Sequence, residues 1–156
     1  MSARLTPQRR LVVIGVGHRD RSDDGIGPAV VDALGQQFDE VIPIVREGDL
    51  AVLPMLWEPD DDVAIVDVVI SSGPVGQLHE IDPDHLVSGG GMSTHGLNVA
   101  DGIRMASRLG CLPATLRVFG IGGQKFGYGP ISRELCERLD PLIEELAALI
   151  GLSATG

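Results

Sequence analysis

Two adjacent carboxylates, Asp23 and Asp24, stand just past the apolar run Leu11-Val12-Val13-Ile14 and a turn containing Gly15 and Gly17. A strand followed by such a turn places them at the carboxyl end of a parallel sheet, where open α/β folds keep their sites. Side by side they repel one another unless a proton, a cation or a backbone donor intervenes. A third acid, Asp67, ends the run Val63-Ala64-Ile65-Val66, and a histidine, His95, sits in Ser93-Thr94-His95-Gly96-Leu97. The start of a helix disfavours an imidazolium, so a neutral His95 is available as a ligand or base. Two carboxylates and an imidazole at three strand-to-helix edges can form a three-ligand metal site with positions left for water or substrate. Oxygen and nitrogen donors without thiolate suit Ni, Zn, Mn or Fe(II). The plainer alternatives are a loop-capping Asp67 and an exposed loop His95.

The elements that must carry these residues alternate between strand and helix. Strands are expected at Leu11–Val16, at residues 41–45, where Pro43 indicates an edge, at residues 63–69 as the centre of the sheet, at residues 76–82, and at residues 116–121. A helix opens near Pro28, and Asp49 caps a short helix reaching Trp57. Ser93 or Thr94 caps another, with Leu97, Ala100, Ile103, Ala106 and Leu109 on its apolar side. A closing helix covers residues 131–150, with Leu149 on its stripe and a kink or restart at Pro141. The acidic stretch 58–62 reads as a solvated turn, and Gly89-Gly90-Gly91 as a flexible connection. The expected fold is one α/β domain over residues 1–156: three layers, a mostly parallel twisted sheet of about five strands, and helices on both faces.

Composition agrees with that architecture. Hydrophobic residues make up 44% of the 156 and aromatics only 3%, so Val, Ile, Leu and Ala must fill a sheet buried on both sides. A net charge of −10 excludes nucleic acid as an expected partner, since that affinity rests on clustered Lys and Arg. Cys111 and Cys136 lack ligand-type spacing and read as small buried hydrophobes. No apolar run is long enough for a signal peptide or a bilayer span, so a cytoplasmic, membrane-free protein is expected.

Gly15-Val16-Gly17-His18, Ser22-Asp23-Asp24-Gly25-Ile26-Gly27, Ile65-Val66-Asp67 and Ser93-Thr94-His95-Gly96-Leu97 together resemble the hydrogenase maturation endopeptidases. The similarity runs through nearly the whole chain, including Phe126-Gly127-Tyr128-Gly129-Pro130 ahead of the closing helix. Members of that family are cytoplasmic proteases that trim the C-terminal extension from the large-subunit precursor of nickel–iron hydrogenases once nickel is in place. The resemblance implies metal ligands at Asp24, Asp67 and His95, nickel supplied by the precursor, and tolerance of other divalent ions. A carboxylate such as Asp23 or Glu47 is then the candidate general base, unless the metal itself activates the water. The chain departs from the family pattern at His18, where Asn is usual, and at Glu47-Gly48-Asp49-Leu50, where Asp-Gly-Gly-Thr is usual. A monomer or small homo-oligomer is expected.

Two rival functions follow from other features. A metal-dependent factor that docks on the same precursor without cutting it would tolerate the changes at His18 and Glu47. A dinucleotide enzyme would use Gly15-x-Gly17, but Asp20 stands where the third glycine is needed and would repel a pyrophosphate. Peptidyl-tRNA hydrolases open with a similar strand and turn, and the charge excludes a tRNA substrate.

Overall fold

A computed structural model describes residues 9–70, 73–87 and 94–152, apart from the side chains of residue 87 and residues 94–98. Five strands, β1 (Leu11–Val16), β2 (Val41–Arg46), β3 (Asp62–Ile70), β4 (Leu78–Ile81) and β5 (Thr115–Gly123), form one sheet in the order β2-β1-β3-β5-β4. All neighbours are parallel except β4, which runs antiparallel to β5. The helices are α1 (Ile26–Gln37), α2 (Pro83–Val87), α3 (Thr94–Leu109), α4 (Arg133–Glu137) and α5 (Leu139–Leu149).

Alternate residues of the apolar strands feed two separate cores, as a period of two requires. Val13, Val66, Val68, Phe119 and Ile121 pack against Val30 and Leu34 of α1 and Leu142 and Leu146 of α5. Val12, Ile14, Val63, Ile65 and Val118 face the other way, onto Leu53, Trp57 and, from α3, Val99 and Ile103. Trp57 is held there by its indole N–H, which donates to the Cys111 carbonyl at 2.8 Å. The expected three-layer sheet with helices on both faces is therefore present. Pro43 lies on edge strand β2. Asp49 caps a 3₁₀ turn (Leu50–Met55) by accepting from the Ala51 N–H. Pro141 stands in the first turn of α5, where the expected single closing helix restarts after α4.

Several expectations are corrected. The acidic stretch is not simply solvated. Asp61 is 2% exposed, its carboxylate gripped by both the Nε and an Nη of Arg10 (2.8 and 2.6 Å) and by the Glu58 N–H. Cys136, in α4, is exposed, and Cys111, in the loop between α3 and β5, is half-buried. Leu109 and Leu149, each the last residue of its helix, are also exposed. Helix α2 and the reversed direction of β4 were not anticipated. Ser93 and Gly89-Gly90-Gly91 lie outside the described residues.

Two features of the sheet place the site. β1 lies between β2 and β3, so the chain leaves its end to one side and returns on the other, which opens a crevice there. β3 also outruns β1: the last β1 pairing is Gly15 with Val66, and Asp67–Ile70 pair only with Gly120–Gly123. Asp67 thus stands just beyond the end of β1, on the face lined by Val63 and Ile65.

Candidate active site

The chain turns sharply after β1, and the backbone there leaves no room for side chains. Gly17 has φ +143°, and a Cβ on it would overlap the Asp24 carbonyl oxygen. A Cβ on Gly27 would come within 2.7 Å of the Val66 carbonyl and 2.8 Å of the Val16 carbonyl, so α1 can start directly against the strand ends only with glycine. Between them lies a 3₁₀ turn (Ser22–Gly25) entered through Ser22 at φ 52°, an unfavourable region for a serine. Its N–H is tied to the Gly129 carbonyl at 2.8 Å.

This turn sends the two adjacent acids in opposite directions. Asp23 is fully buried and accepts three backbone N–H bonds: Gln124 (2.9 Å) and Lys125 (3.1 Å) on Oδ2, Ser132 (2.9 Å) on Oδ1. Burial alone would raise its pKa, but these donors and the Ser132 hydroxyl outweigh it and hold the carboxyl below its ordinary value. Asp23 is therefore a charged strut between the β1 turn and the loop after β5. Asp24, 6% exposed, turns to the crevice, and its Oδ2 accepts the His18 backbone N–H at 2.8 Å.

Asp24 lines a cleft of about 330 Å³ with Gly17, His18, Arg21, Glu47 and Tyr128. His18 accepts the Asp20 N–H on Nδ1 at 3.1 Å, and its Nε2 lies 3.7 Å from Glu47 Oε2. In the neutral ring this leaves the proton on Nε2, facing Glu47. Arg21 stacks over Tyr128, its guanidinium carbon 4.8 Å from the ring centroid.

Asp67 is 3% exposed. Its Oδ1 accepts the Val68 N–H at 2.8 Å, while Oδ2 is buried with no hydrogen-bond partner among the described residues. Burial pushes its pKa well up; the Val68 bond opposes this and the charge of Asp24 adds to it. Asp67 does not open onto the cleft. It borders a void of about 10 Å³ closed by Val69, Ile81, Leu86, Val99, Val118 and Phe119. The backbone of His95 lies in the first turn of α3, one turn before Val99; its side chain is outside the described residues.

The structure thus gathers Asp24, Glu47 and His18 at the cleft and sets Asp67 close enough to feel the charge of Asp24. It turns Asp23 away. Among the described residues no group of three or more His, Cys, Asp or Glu side chains is assembled as a metal site. A cation would nevertheless suit the buried Oδ2 of Asp67, an oxygen donor that no group among the described residues satisfies. The Arg21–Tyr128 pair escaped sequence reasoning. Its only signals were an arginine beside the acid pair and the chain's single tyrosine between two glycines.

The hydrogenase maturation protease family model matches residues 28–149. The chain belongs to that family, whose members are peptidases. A Methanocaldococcus jannaschii protein named as a hydrogenase maturation protease is 24% identical over 153 residues, covering 91% of this chain and 89% of the relative. Among solved structures, the hydrogenase maturating endopeptidase HybD from E. coli superposes with a TM-score of 0.73 at 21% identity, covering 91% of this chain and 92% of the other. The NiFe hydrogenase maturation protease HycI from Thermococcus kodakarensis gives 0.69 at 22%, covering 94% and 95%. These likenesses establish the shared fold. No helix among the described residues is long and apolar enough to cross a membrane.

Proposed function

We propose that this protein is an endopeptidase that removes the C-terminal extension of a nickel–iron hydrogenase large-subunit precursor in the cytoplasm. In this reading the nickel arrives bound to the substrate, and Asp24, Asp67 and His95 complete its shell. The observation that carries it is the buried carboxyl of Asp67 near Asp24, with one oxygen unpaired among the described residues. Such a pair is costly to keep in a fold and is rewarded by a cation. A divalent ion brought there favours release of the Asp67 proton and turns both acids into ligands. Other divalent ions with oxygen and nitrogen preference would compete for the same set.

The attacking water needs a base. Glu47 is the better placed of the two candidates, because it is solvent-exposed and lines the cleft. Asp23 is spent on three backbone donors and cannot take a proton without losing them. The water oxygen would add to the scissile carbonyl while Glu47 takes its proton; returning that proton to the leaving nitrogen breaks the C–N bond. The His18 ring, an Nε2–H donor, is positioned to hold Glu47 or a substrate carbonyl.

Incubating the purified protein with nickel-loaded and nickel-free precursor, followed by intact-mass analysis, tests the proposal. Loss of a C-terminal peptide is expected only from the loaded precursor, and Asp67→Asn or His95→Ala should abolish it. A stable complex without loss of mass would make the protein a docking factor instead. Cleavage that ignores nickel would remove Asp24, Asp67 and His95 from the assigned role.

A further inference from the structure

The cleft carries both signs of charge, and the cationic side is prepared. Asp24 and Glu47 bring negative charge to its lining, and Arg21 beside Tyr128 brings positive charge. Several arginines of this acidic chain are paired with carboxylates, as in Arg10–Asp61, Arg19–Asp32 and Arg117–Glu80. Among the described residues Arg21 forms no direct ion pair with a carboxylate, although the charge of Asp24 reaches it. Its guanidinium carbon lies over the Tyr128 ring, 4.8 Å from the centroid, and one Nη donates to the phenol oxygen at 3.4 Å.

This placement is built into the backbone. Arg21 and Gly129 form a parallel β-bridge, closed by Ser22 N–H to the Gly129 carbonyl (2.8 Å) and Gly129 N–H to the Asp20 carbonyl (2.9 Å). The strut from Asp23 to Gln124, Lys125 and Ser132 fixes the same loop from below. Tyr128 is nonetheless 79% exposed, so neither residue is held there to fill a core. Stacking leaves the edge of an arginine fork free, and that edge matches a carboxylate with two parallel N–H bonds.

The geometry points to a carboxylate-binding subsite at Arg21 and Tyr128 that holds an acidic group of the peptide being cleaved. The group is an Asp or Glu side chain or the terminal carboxylate of the extension. This rests on the endopeptidase reading and adds a direction to it. The anionic end of the substrate lies at Arg21, and the cationic end lies toward Asp24 and Glu47.

Two measurements test the inference, and they fail independently of each other. Because Tyr128 is the only tyrosine, its ring resonances are assigned without ambiguity in an NMR titration. The probes are Ac-Ala-Ala-Glu-Ala-NH2, its Gln counterpart, and Ac-Ala-Ala-Ala-OH. A saturable shift with the Glu peptide or with the free acid, absent with the Gln peptide and absent in Arg21→Ala, is expected, and it identifies the source of the carboxylate. No shift with either acid overturns the subsite. In precursor cleavage, Arg21→Ala should raise KM roughly tenfold or more with kcat retained, the loss of a charge-assisted bond. Arg21→Lys should recover part of that loss, because it keeps the charge without the fork. An unchanged KM overturns the substrate role. Wild-type protein that shifts with the acids but cuts no precursor keeps the subsite and sinks the endopeptidase reading instead.

Discussion

Removing the Asp23 carboxylate should cost more stability than any other single change at the turn after β1, although the residue touches no substrate in the proposed chemistry. Three backbone N–H groups donate to it across distances of 2.9–3.1 Å, and it is fully buried. Hydrogen bonds to a charged group contribute about 1.5–3 kcal/mol each, but Gln124 and Lys125 are surface residues whose freed N–H groups regain some water. Asp23→Ala is therefore expected to lose about 4 kcal/mol, and Asp23→Asn, which keeps one acceptor oxygen, about 2 kcal/mol. With a urea slope near 2 kcal/mol/M, the alanine midpoint falls by about 2 M. The pH dependence has a definite sign. The folded-state pKa lies below the ordinary 3.8, so the contribution is fully present above that value and disappears as pH falls through the folded pKa. The stability gap between wild type and Asp23→Asn should be widest near pH 6–7 and close progressively below about pH 4. Urea titrations at pH 7, 5, 4 and 3 measure it. A loss under about 1 kcal/mol for Asp23→Ala, or a gap that persists unchanged to pH 3, would refute the strut argument.

Asp67 should behave in the opposite way. Its folded-state pKa is raised, so it weighs against folding as pH climbs from the ordinary carboxylate range through the folded value. Asp67→Asn is expected to gain about 1–2 kcal/mol at pH 8, less at pH 4, by thermal or urea unfolding; a loss at pH 8 would contradict this. Gly17→Ala places a Cβ against the Asp24 carbonyl at a left-handed φ, so a loss of about 3 kcal/mol or more is expected, with retained midpoint as the contrary result.

The scaffold was readable where one local rule decides the outcome. The Val- and Ile-rich runs of β1 and β3 read as strands buried on both faces, Pro43 indicates an edge, and Pro141 marks a kink or a restart, of which the structure shows the restart. The acids were placed at the correct sheet edge for the same reason. Their separate fates were not readable, because they depend on partners far along the chain. Asp23 and Asp24 are neighbours of one type, and only Gln124, Lys125 and Ser132, more than 100 positions away, distinguish them. Arg21 meets Tyr128 across 107 positions, and the Arg10–Asp61 pair spans 51. Helix periodicity says nothing about such contacts, and acidic clustering misleads at Asp61, where a run of charges reads as solvated surface but one member is buried against Arg10.

The arrangement around β1 also bears on why a peptidase would wait for a metal carried by its substrate. Asp24 and Asp67 repel each other if both are charged, and burial resolves the conflict by favouring the proton on Asp67. A cation must displace that proton before it can use both oxygens. A free hydrated ion would also have to shed water to reach a carboxyl that is 3% exposed. On the proposed reading, an ion already dehydrated and held by the precursor would bring only the first cost, and the peptide around it would add cleft contacts at Glu47, His18 and Arg21. On the proposed reading the threshold set by Asp67 is what separates a loaded precursor from loose metal. Raising the exposure of Asp67, for example by Val69→Ala at the rim of its void, should therefore strengthen binding of free nickel in an isothermal titration and weaken the dependence of cleavage on prior loading. Unchanged nickel affinity in a folded Val69→Ala protein would show that burial of Asp67 does not set the threshold.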